Sequence, residues 1–253
     1  MGIVNVTPDS FSDGGVHFAP ADAVAAARRM AADGAAIVDV GGESTRPGSG
    51  GVSLDEELRR VVPVLEEVAG ELPVSIDTAK AEVARRALEL GAVMVNDVTA
   101  FRADPALADV AAEHGAYVCL MHMQGEPRTM QDAPHYDDVV SEVASFLEER
   151  VSFAVSRGVR EDHICVDPGF GFGKTLDHNL ELLRHLGAIV AIGRPVLVGI
   201  SRKSSLRRIA GTEELLSASL AAAVAAYERG AAMLRVHDVR EHVEALAVAQ
   251  AIA

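Results

Sequence analysis

The chain has 253 residues, of which 49% are hydrophobic, and it carries a formal net charge of −14. A chain of this length can bury one large core, and about 250 residues is the usual size of a single barrel of eight strand and helix units. The acidic balance excludes nucleic acid and anionic membrane surfaces as bulk partners, since both select for basic faces. No apolar run is long enough to cross a membrane, and no leader pattern opens the chain, so we expect neither a membrane span nor a signal peptide.

Short runs rich in valine and isoleucine alternate with helix-period stretches along the chain. The runs cover residues 3–6, 36–40, 74–76, 93–95, 117–121, 164–166, 196–200 and 233–236. Strands that are apolar throughout are typical of a parallel sheet buried on both faces. Eight regular units in this length favour an α/β fold of one domain over 1–253, a (β/α)₈ TIM barrel, over a doubly wound open sheet.

The stretches between the runs carry apolar residues at helical spacing. Examples are Leu58, Val61, Val62 and Leu65, and near the end Val239, Val243, Leu246 and Gln250. Pro63 should kink or split the first of these helices. Residues 215–226, LLSASLAAAVAA, are small and apolar on nearly all sides, which predicts a helix covered on more than its barrel face.

The two cysteines, Cys119 and Cys165, lie inside apolar runs and form no CxxC motif. This pattern predicts buried, reduced thiols and a cytoplasmic protein rather than a disulfide framework.

Every predicted strand ends in polar residues. In a TIM barrel the carboxyl ends of the strands and the loops that follow them form the active face. In chain order these residues are Asn5, Asp39, Asp77 with Thr78, Asn96 with Asp97, His122, Asp167, the run Ser201-Arg202-Lys203-Ser204, and Arg235 with His237. Helix capping explains any one Asp or Asn about as well as ligand binding does. Capping does not explain the whole set of strand-end residues, because Asp39 and Asp167 precede glycine loops rather than helices. The mixture of acidic, amide and basic groups predicts a ligand with a hydrogen-bonding heterocycle and an anionic group.

Several other motifs fail on spacing. The segment GFGFGKT has Pro168 where a phosphate loop needs glycine, and Lys174 where a dinucleotide loop needs glycine. The sequence has no HExxH zinc motif and no GxSxG nucleophile motif. The triplet Met121-His122-Met123 is interpreted as strand-end packing rather than as a copper site.

Eight sequence blocks follow one another over essentially the whole chain: NVTPDSFSDGG, VGGESTRPG, SIDT, VND, LMHMQG-PRTMQ, DPGFGFGKT, GISRKS and RVHDV. In this order they resemble the signature blocks of the bacterial dihydropteroate synthases, a pterin-binding family. The resemblance implies a (β/α)₈ barrel that joins 6-hydroxymethyl-7,8-dihydropterin diphosphate to 4-aminobenzoate in folate synthesis. It implies 7,8-dihydropteroate and pyrophosphate as products, and Mg²⁺ as the cofactor.

The resemblance also implies a role for each matching residue. The pterin would be held by Asp39, Asp77, Asn96, Asp167 and Lys203. The diphosphate would be bound by Asn5, Arg235 and His237, with Asn5 reaching it through Mg²⁺. The 4-aminobenzoate would be enclosed by Thr45, Arg46, Pro47, Phe172 and Ser204. The catalytic set would be Asp77, Lys203, Arg235 and His237.

A mechanism follows from these groups, because none of them is an obvious covalent nucleophile and an aniline nitrogen is a modest one. We expect a dissociative, SN1-like substitution in which Arg235, His237 and Mg²⁺ stabilise the departing diphosphate. The glycine-rich stretches 12–15 and 48–51 would let two loops close over the intermediate, so that pterin diphosphate binds before 4-aminobenzoate.

Two alternatives stay open at this point. One is a pterin-dependent methyltransferase that acts with a corrinoid protein, although it has no use for STRPG, SRKS or the anion site of Arg235 and His237. The other is a catalytically silent paralogue that binds pterin or pyrophosphate. The expected partners are small-molecule substrates and, from the apolar late helix and the resemblance, a second copy in a two-fold homodimer.

Overall fold

Eight short parallel strands form the centre of the molecule in a computed structural model that describes residues 1–7, 20–45, 50–126 and 128–252. The strands are β1 Gly2–Asn5, β2 Val38–Gly41, β3 Val74–Asp77, β4 Met94–Asp97, β5 Tyr117–Met121, β6 Ile164–Asp167, β7 Leu197–Val198 and β8 Met233–Leu234. All eight lie within or overlap the runs predicted from valine and isoleucine content.

The strands pair in chain order and close on themselves. Strands β1 to β6 form one sheet, and β7 pairs with β8. Parallel bridges from Val166 to Val196 and from Gly2 to Val236 join the two parts at both edges. This closure confirms the TIM barrel and excludes the open doubly wound sheet.

Helices surround the barrel. In the described residues they are α1 Pro20–Ala32, α2 Leu54–Val68, α3 Ala81–Glu89, α4 Ala106–Glu113, α5 Val139–Ser156, α6 Leu176–Arg184, α7 Leu186–Val190, α8 Ser204–Ala210, α9 Leu216–Glu228 and α10 Val239–Ile252. Strand residues such as Val4, Val40 and Ile76 are fully buried in the core cluster that these helices share with the barrel wall. No described helix is both long and apolar enough to span a bilayer.

An apolar plug fills the barrel below its mouth. Met94, Cys119, Cys165 and Leu197 form one buried cluster. Because side chains two apart share a strand face, Met94 lies on the same face as Asn96, and Cys165 on the same face as Asp167. The polar site residues therefore lie directly above a packed apolar layer of the barrel interior.

Two helix predictions are corrected by the structure. Helix α2 runs unbroken through Pro63, so the predicted split is wrong. The physical reason is that proline removes one backbone bond, while Val61, Val64 and Leu65 on the same helix are fully buried and hold it against the core.

The predicted apolar face of the last helix is also displaced. On α10, Val239, His242 and Ala249 are buried, whereas Val243 and Gln250 are exposed. Histidine and alanine at core positions concealed the true stripe from a pattern based on large apolar residues.

Candidate active site at the mouth of the barrel

The predicted polar strand ends converge at the carboxyl-terminal mouth of the barrel. Asp39, Asp77, Asn96 and Asp167 are all nearly or fully buried there. Asp77 is level with Asn96 in the parallel register of β3 and β4, which puts their side chains on one face. The structure thus brings four of the five predicted pterin residues into one cup.

Arg235, directly after β8, closes this cup from the opposite side. Its Nε donates to Asp39 Oδ2 at 2.6 Å, and its second guanidinium nitrogen donates to Asp77 Oδ2 at 2.7 Å. Asn96 Nδ2 also donates to Asp39 Oδ2 at 3.0 Å. One arginine therefore links two carboxylates from neighbouring strands, with its side chain still 20% exposed toward the mouth.

Asp39 keeps one acceptor unused. None of the described residues donates a hydrogen bond to its Oδ1, although that oxygen is buried. An unsatisfied buried carboxylate oxygen is costly, and such groups are commonly paired by a ligand or an ordered water. The cup thus has an acceptor available for an N–H group of a bound molecule.

Burial raises the pKa of Asp77 to about 7, against the opposing attraction of Arg235. The negative charges of Asp39, Glu57 and Asp97 add to the rise. The mouth is therefore an acidic, poorly solvated environment in which a positive charge on a ligand is favoured.

Asp167 ends β6 and is fixed by the glycine loop that follows it. Its Oδ1 accepts a hydrogen bond from the Gly169 amide at 2.7 Å. Gly169 has a φ of 69°, and a Cβ there would overlap the carbonyl oxygen of His122, so only glycine fits. Burial raises the pKa of Asp167 to about 6, opposed by that amide and by Lys203, Lys174 and Arg235.

Lys203 and Phe172 form the next wall of the site. The Lys203 ammonium lies 4.3 Å from the centroid of the Phe172 ring, which is a cation–π contact. Lys203 is the residue before α8, and Ser204 begins that helix at the exposed rim. These three predicted residues are therefore neighbours.

His237 is oriented by a residue that the sequence did not single out for a role. Its Nδ1 lies 3.1 Å from the Ser201 hydroxyl oxygen, and its backbone N–H donates to the same oxygen at 3.3 Å. Ser201 is buried in the loop that follows β7. Its position directly after the predicted strand over 196–200 is the only signal in the sequence.

Asn5 ends β1 and is half-buried beside Gly41 of β2. A Cβ on Gly41 would lie only 3.3 Å from the Cβ of Asp77, so a larger residue at this position would crowd the Asp77 side chain. Thr45 is half-buried in the loop after β2. Arg46 and Pro47 lie outside the described residues, as do residues 8–19 with the stretch 12–15, and positions 48 and 49.

A buried pair of residues, Lys174 and His122, packs behind the site, and the sequence did not predict their contact. Lys174 and His122 are both buried, with Lys174 Nζ 2.8 Å from His122 Nδ1. The interpretation of His122 as a packed strand-end residue agrees with its edge-on contact to Phe146, whose ring centroid is 4.8 Å away. Only the fold shows that Lys174 turns back toward it.

With this geometry in place, comparison with known proteins identifies the family. Residues 1–237 match the model of the pterin binding enzyme family. The dihydropteroate synthase of Escherichia coli K12 is 50% identical over 255 aligned residues, which cover 99% of this chain and 90% of that protein. The chain belongs to the dihydropteroate synthase family.

Solved structures of the family superpose on the whole barrel. The Xanthomonas albilineans dihydropteroate synthase with 4-aminobenzoic acid has a TM-score of 0.92 and 50% identity, covering 99% of this chain and 91% of that one. The same species' enzyme in complex with 7,8-dihydropteroate has a TM-score of 0.89 and 47% identity, covering 99% and 92%. The dihydropteroate synthases are transferases, and the predicted family and enzyme class are confirmed.

Proposed function

We propose that this chain transfers the (7,8-dihydropterin-6-yl)methyl group from diphosphate to the amino nitrogen of 4-aminobenzoate, giving 7,8-dihydropteroate and pyrophosphate. The observation that carries the proposal is the buried cup in which Arg235 joins Asp39 and Asp77 beside Asn96. A polar cup with acidic and amide groups matches a flat heterocycle that has many N–H donors, and the family relationship supplies the reaction.

Recognition of the pterin rests on Asp39, Asp77, Asn96, Asp167 and Lys203. An ionised carboxylate such as Asp167 accepts two N–H donors, which matches the edge of an aminopyrimidinone. The unpartnered Oδ1 of Asp39 is a further acceptor. The Asn96 amide and the Lys203 ammonium can donate to ring nitrogens and to the pterin oxygen.

The diphosphate is assigned to Asn5, Arg235 and His237. Arg235 has five N–H donors, of which the two carboxylates occupy only part, so one side of the guanidinium can meet an anion. The Asn5 amide oxygen suits Mg²⁺, which commonly takes few protein ligands and completes its shell with substrate phosphate oxygens and water. When bound, Mg²⁺ would neutralise charge on the diphosphate.

The 4-aminobenzoate is assigned to Thr45, Arg46, Pro47, Phe172 and Ser204. Phe172 offers a ring face next to Lys203, and Ser204 stands at the exposed rim where a carboxylate can reach solvent. In this proposal the amino end of the substrate faces the pterin.

We propose a dissociative order for the reaction. The bond between the pterin methylene carbon and the diphosphate oxygen breaks first, and the electron pair leaves with the diphosphate. The carbocation is delocalised over the dihydropterin and stabilised by the carboxylate of Asp77. The aniline nitrogen then forms the new C–N bond and loses a proton to water.

Pyrophosphate release from the pterin diphosphate, measured with and without 4-aminobenzoate, tests this function. We expect steady release only with 4-aminobenzoate, matched one to one by dihydropteroate. A silent pterin-binding paralogue would release none under either condition. A corrinoid methyltransferase would leave the diphosphate intact and transfer a methyl group instead.

We further propose that the chain acts as a cytoplasmic homodimer. Large apolar side chains are exposed on the late helices, with Ile209 on α8, Leu216 on α9, and Val248 and Ile252 on α10. Exposed apolar residues on adjoining helices are typical of a subunit interface. The two free thiols fit a reducing compartment.

A further inference from the structure

Lys174 is a buried cation with an unusual set of partners. Its side chain is 3% exposed, and none of the described carboxylates lies within ion-pair distance of its ammonium. Instead Nζ lies 2.8 Å from His122 Nδ1, 3.1 Å from the Phe172 carbonyl oxygen and 3.4 Å from the His122 carbonyl oxygen. Three donors thus meet three neutral acceptors, which keeps a buried ammonium tolerable.

These contacts join the two loops that follow β5 and β6. The loops approach backbone to backbone, because a Cβ on Gly169 or Gly173 would overlap a carbonyl oxygen of the β5 loop. Tyr136 Oη also donates to the Gly173 carbonyl oxygen at 2.8 Å. Lys174 completes this junction with two contacts to His122 in the β5 loop and one to Phe172 in its own loop.

His122 can only accept in this pair. Burial, together with the positive charges of Lys174 and Arg102, lowers the pKa of His122 to about 2. The ring is therefore neutral near physiological pH, with Nδ1 as the acceptor and the proton on Nε2. The single positive charge of the pair resides on Lys174.

Asp167 lies next to this charge. The His122 backbone N–H donates to the Asp167 carbonyl oxygen at 2.9 Å, and Lys174 Nζ lies 3.4 Å from the carbonyl oxygen of the same histidine. The cations that act on Asp167 are Lys203 from the start of α8, Lys174 from its own loop and Arg235 from after β8. The Cys119 thiol lies on the barrel side of β5 below it. Lys203 and Arg235 also face the ligand, whereas Lys174 is enclosed by protein.

We propose that Lys174 is a positioning residue for pterin binding: held by His122 and the Phe172 carbonyl, its ammonium keeps Asp167 ionised and therefore able to accept the pterin N–H groups. This inference rests on the pterin-binding role of Asp167 in the proposed function. The charge state of Lys174 is consistent with the task. Burial lowers its pKa to about 7, so it is still protonated at the pH where Asp167 titrates.

The sign of the effect follows from these positions. An ionised Asp167 binds pterin and a protonated one does not, so affinity falls as the pH drops through the pKa of Asp167, about 6. Removing the Lys174 charge raises that pKa. The acid-side midpoint of pterin affinity then moves to higher pH.

The test is the dissociation constant of a pterin without diphosphate, measured by calorimetry across the acid range for Lys174→Met, Lys174→Gln and Lys174→Arg. We expect both neutral variants to move the acid midpoint upward by about 1 pH unit, the low end for loss of a nearby opposite charge. Binding is then about tenfold weaker below both midpoints and unchanged well above them. Lys174→Arg keeps the charge and keeps the midpoint.

Two control variants separate the shift of the acid midpoint from a loss of folded structure. Lys174→Gln retains donors toward both loops, so it keeps the fold if Lys174→Met does not. Arg184→Met on the exposed side of α6 makes the same change in net charge and should leave the profile unchanged.

An unchanged acid midpoint in the folded neutral variants overturns the proposal, whatever happens to thermal stability. Failure of the proposed function looks different, because then the unmodified chain binds no pterin, or Asp167→Asn leaves its affinity unchanged.

Discussion

At the scale of the residue, the site depends on how burial and charge are balanced at each carboxylate. Burial raises the pKa of both Asp77 and Asp167 above its ordinary value, yet the two carboxyl groups have different surroundings. Asp77 pairs with Arg235, whereas Asp167 is held by the Gly169 amide and faces Lys203 and Lys174. Substitution of the two aspartates should therefore affect different steps, pterin binding for Asp167 and turnover for Asp77.

Asp167→Asn should weaken pterin binding, because the amide replaces one acceptor by a misplaced donor. Asp77→Asn should chiefly lower kcat, by about 10²–10³-fold, because it removes negative charge beside the developing cation. Steady-state kinetics and calorimetry on both variants check this difference. A change in KM alone for Asp77→Asn would remove the main support for a dissociative reaction.

Arg235→Ala should destabilise the fold as well as the reaction. It leaves Asp39 and Asp77 buried without their cation, and breaking a buried pair costs about 3–5 kcal/mol. The loss is largest above pH 7, the approximate pKa of Asp77, and shrinks as the pH falls, since protonation then removes a buried charge. Denaturant unfolding at several pH values measures this. A loss of stability that does not change with pH would contradict it.

At the scale of the element, most of the barrel could be predicted from the sequence because buried parallel strands are continuously apolar. The pattern failed where small or polar residues occupy core positions, as with His242 and Ala249 on α10. The polar residues at the strand ends could be predicted as well, because each one directly follows an apolar run. The role of Lys174 could not be predicted, because its partner His122 belongs to another loop that only the fold brings close.

Helix α2 offers a test of how the elements tolerate a local defect. Pro63→Ala restores a backbone donor and removes the clash inside the helix, so we expect greater stability. The gain should be about 2–2.6 kcal/mol, the roughly 3 kcal/mol helix cost of proline less the roughly 0.4–1 kcal/mol of unfolded-chain entropy that proline removes. Chemical denaturation of this variant beside the unmodified chain measures the difference in unfolding free energy. Lower stability would show that the Pro63 ring supplies packing that outweighs its backbone cost.

At the scale of the whole molecule, the barrel provides a rigid cup and its outer helices carry the exposed apolar side chains of the proposed interface. The apolar plug of Met94, Cys119, Cys165 and Leu197 closes the barrel below the site, so ligands enter only from the mouth. The late helices lie outside this cup, which allows association without blocking it.

The dimer prediction is tested on those helices. Light scattering at micromolar concentration should give about twice the 26.6 kDa chain mass. Val248→Glu on α10 should shift the particle toward the monomer, because it places a charge in an apolar interface. Val93→Glu, an exposed valine before β4, is the matched control. A monomer of the unmodified chain would contradict the prediction.

In the proposed reaction, diphosphate departs before the aminobenzoate nitrogen attacks. The direct measurement uses pterin diphosphate labelled with oxygen-18 at the bridge to the pterin methylene, incubated with the enzyme and Mg²⁺ without 4-aminobenzoate. If the bond breaks and re-forms within the closed site, the label should move into non-bridging positions of the recovered substrate. Label that stays wholly in the bridge, in enzyme that turns over normally once 4-aminobenzoate is added, would contradict the dissociative account.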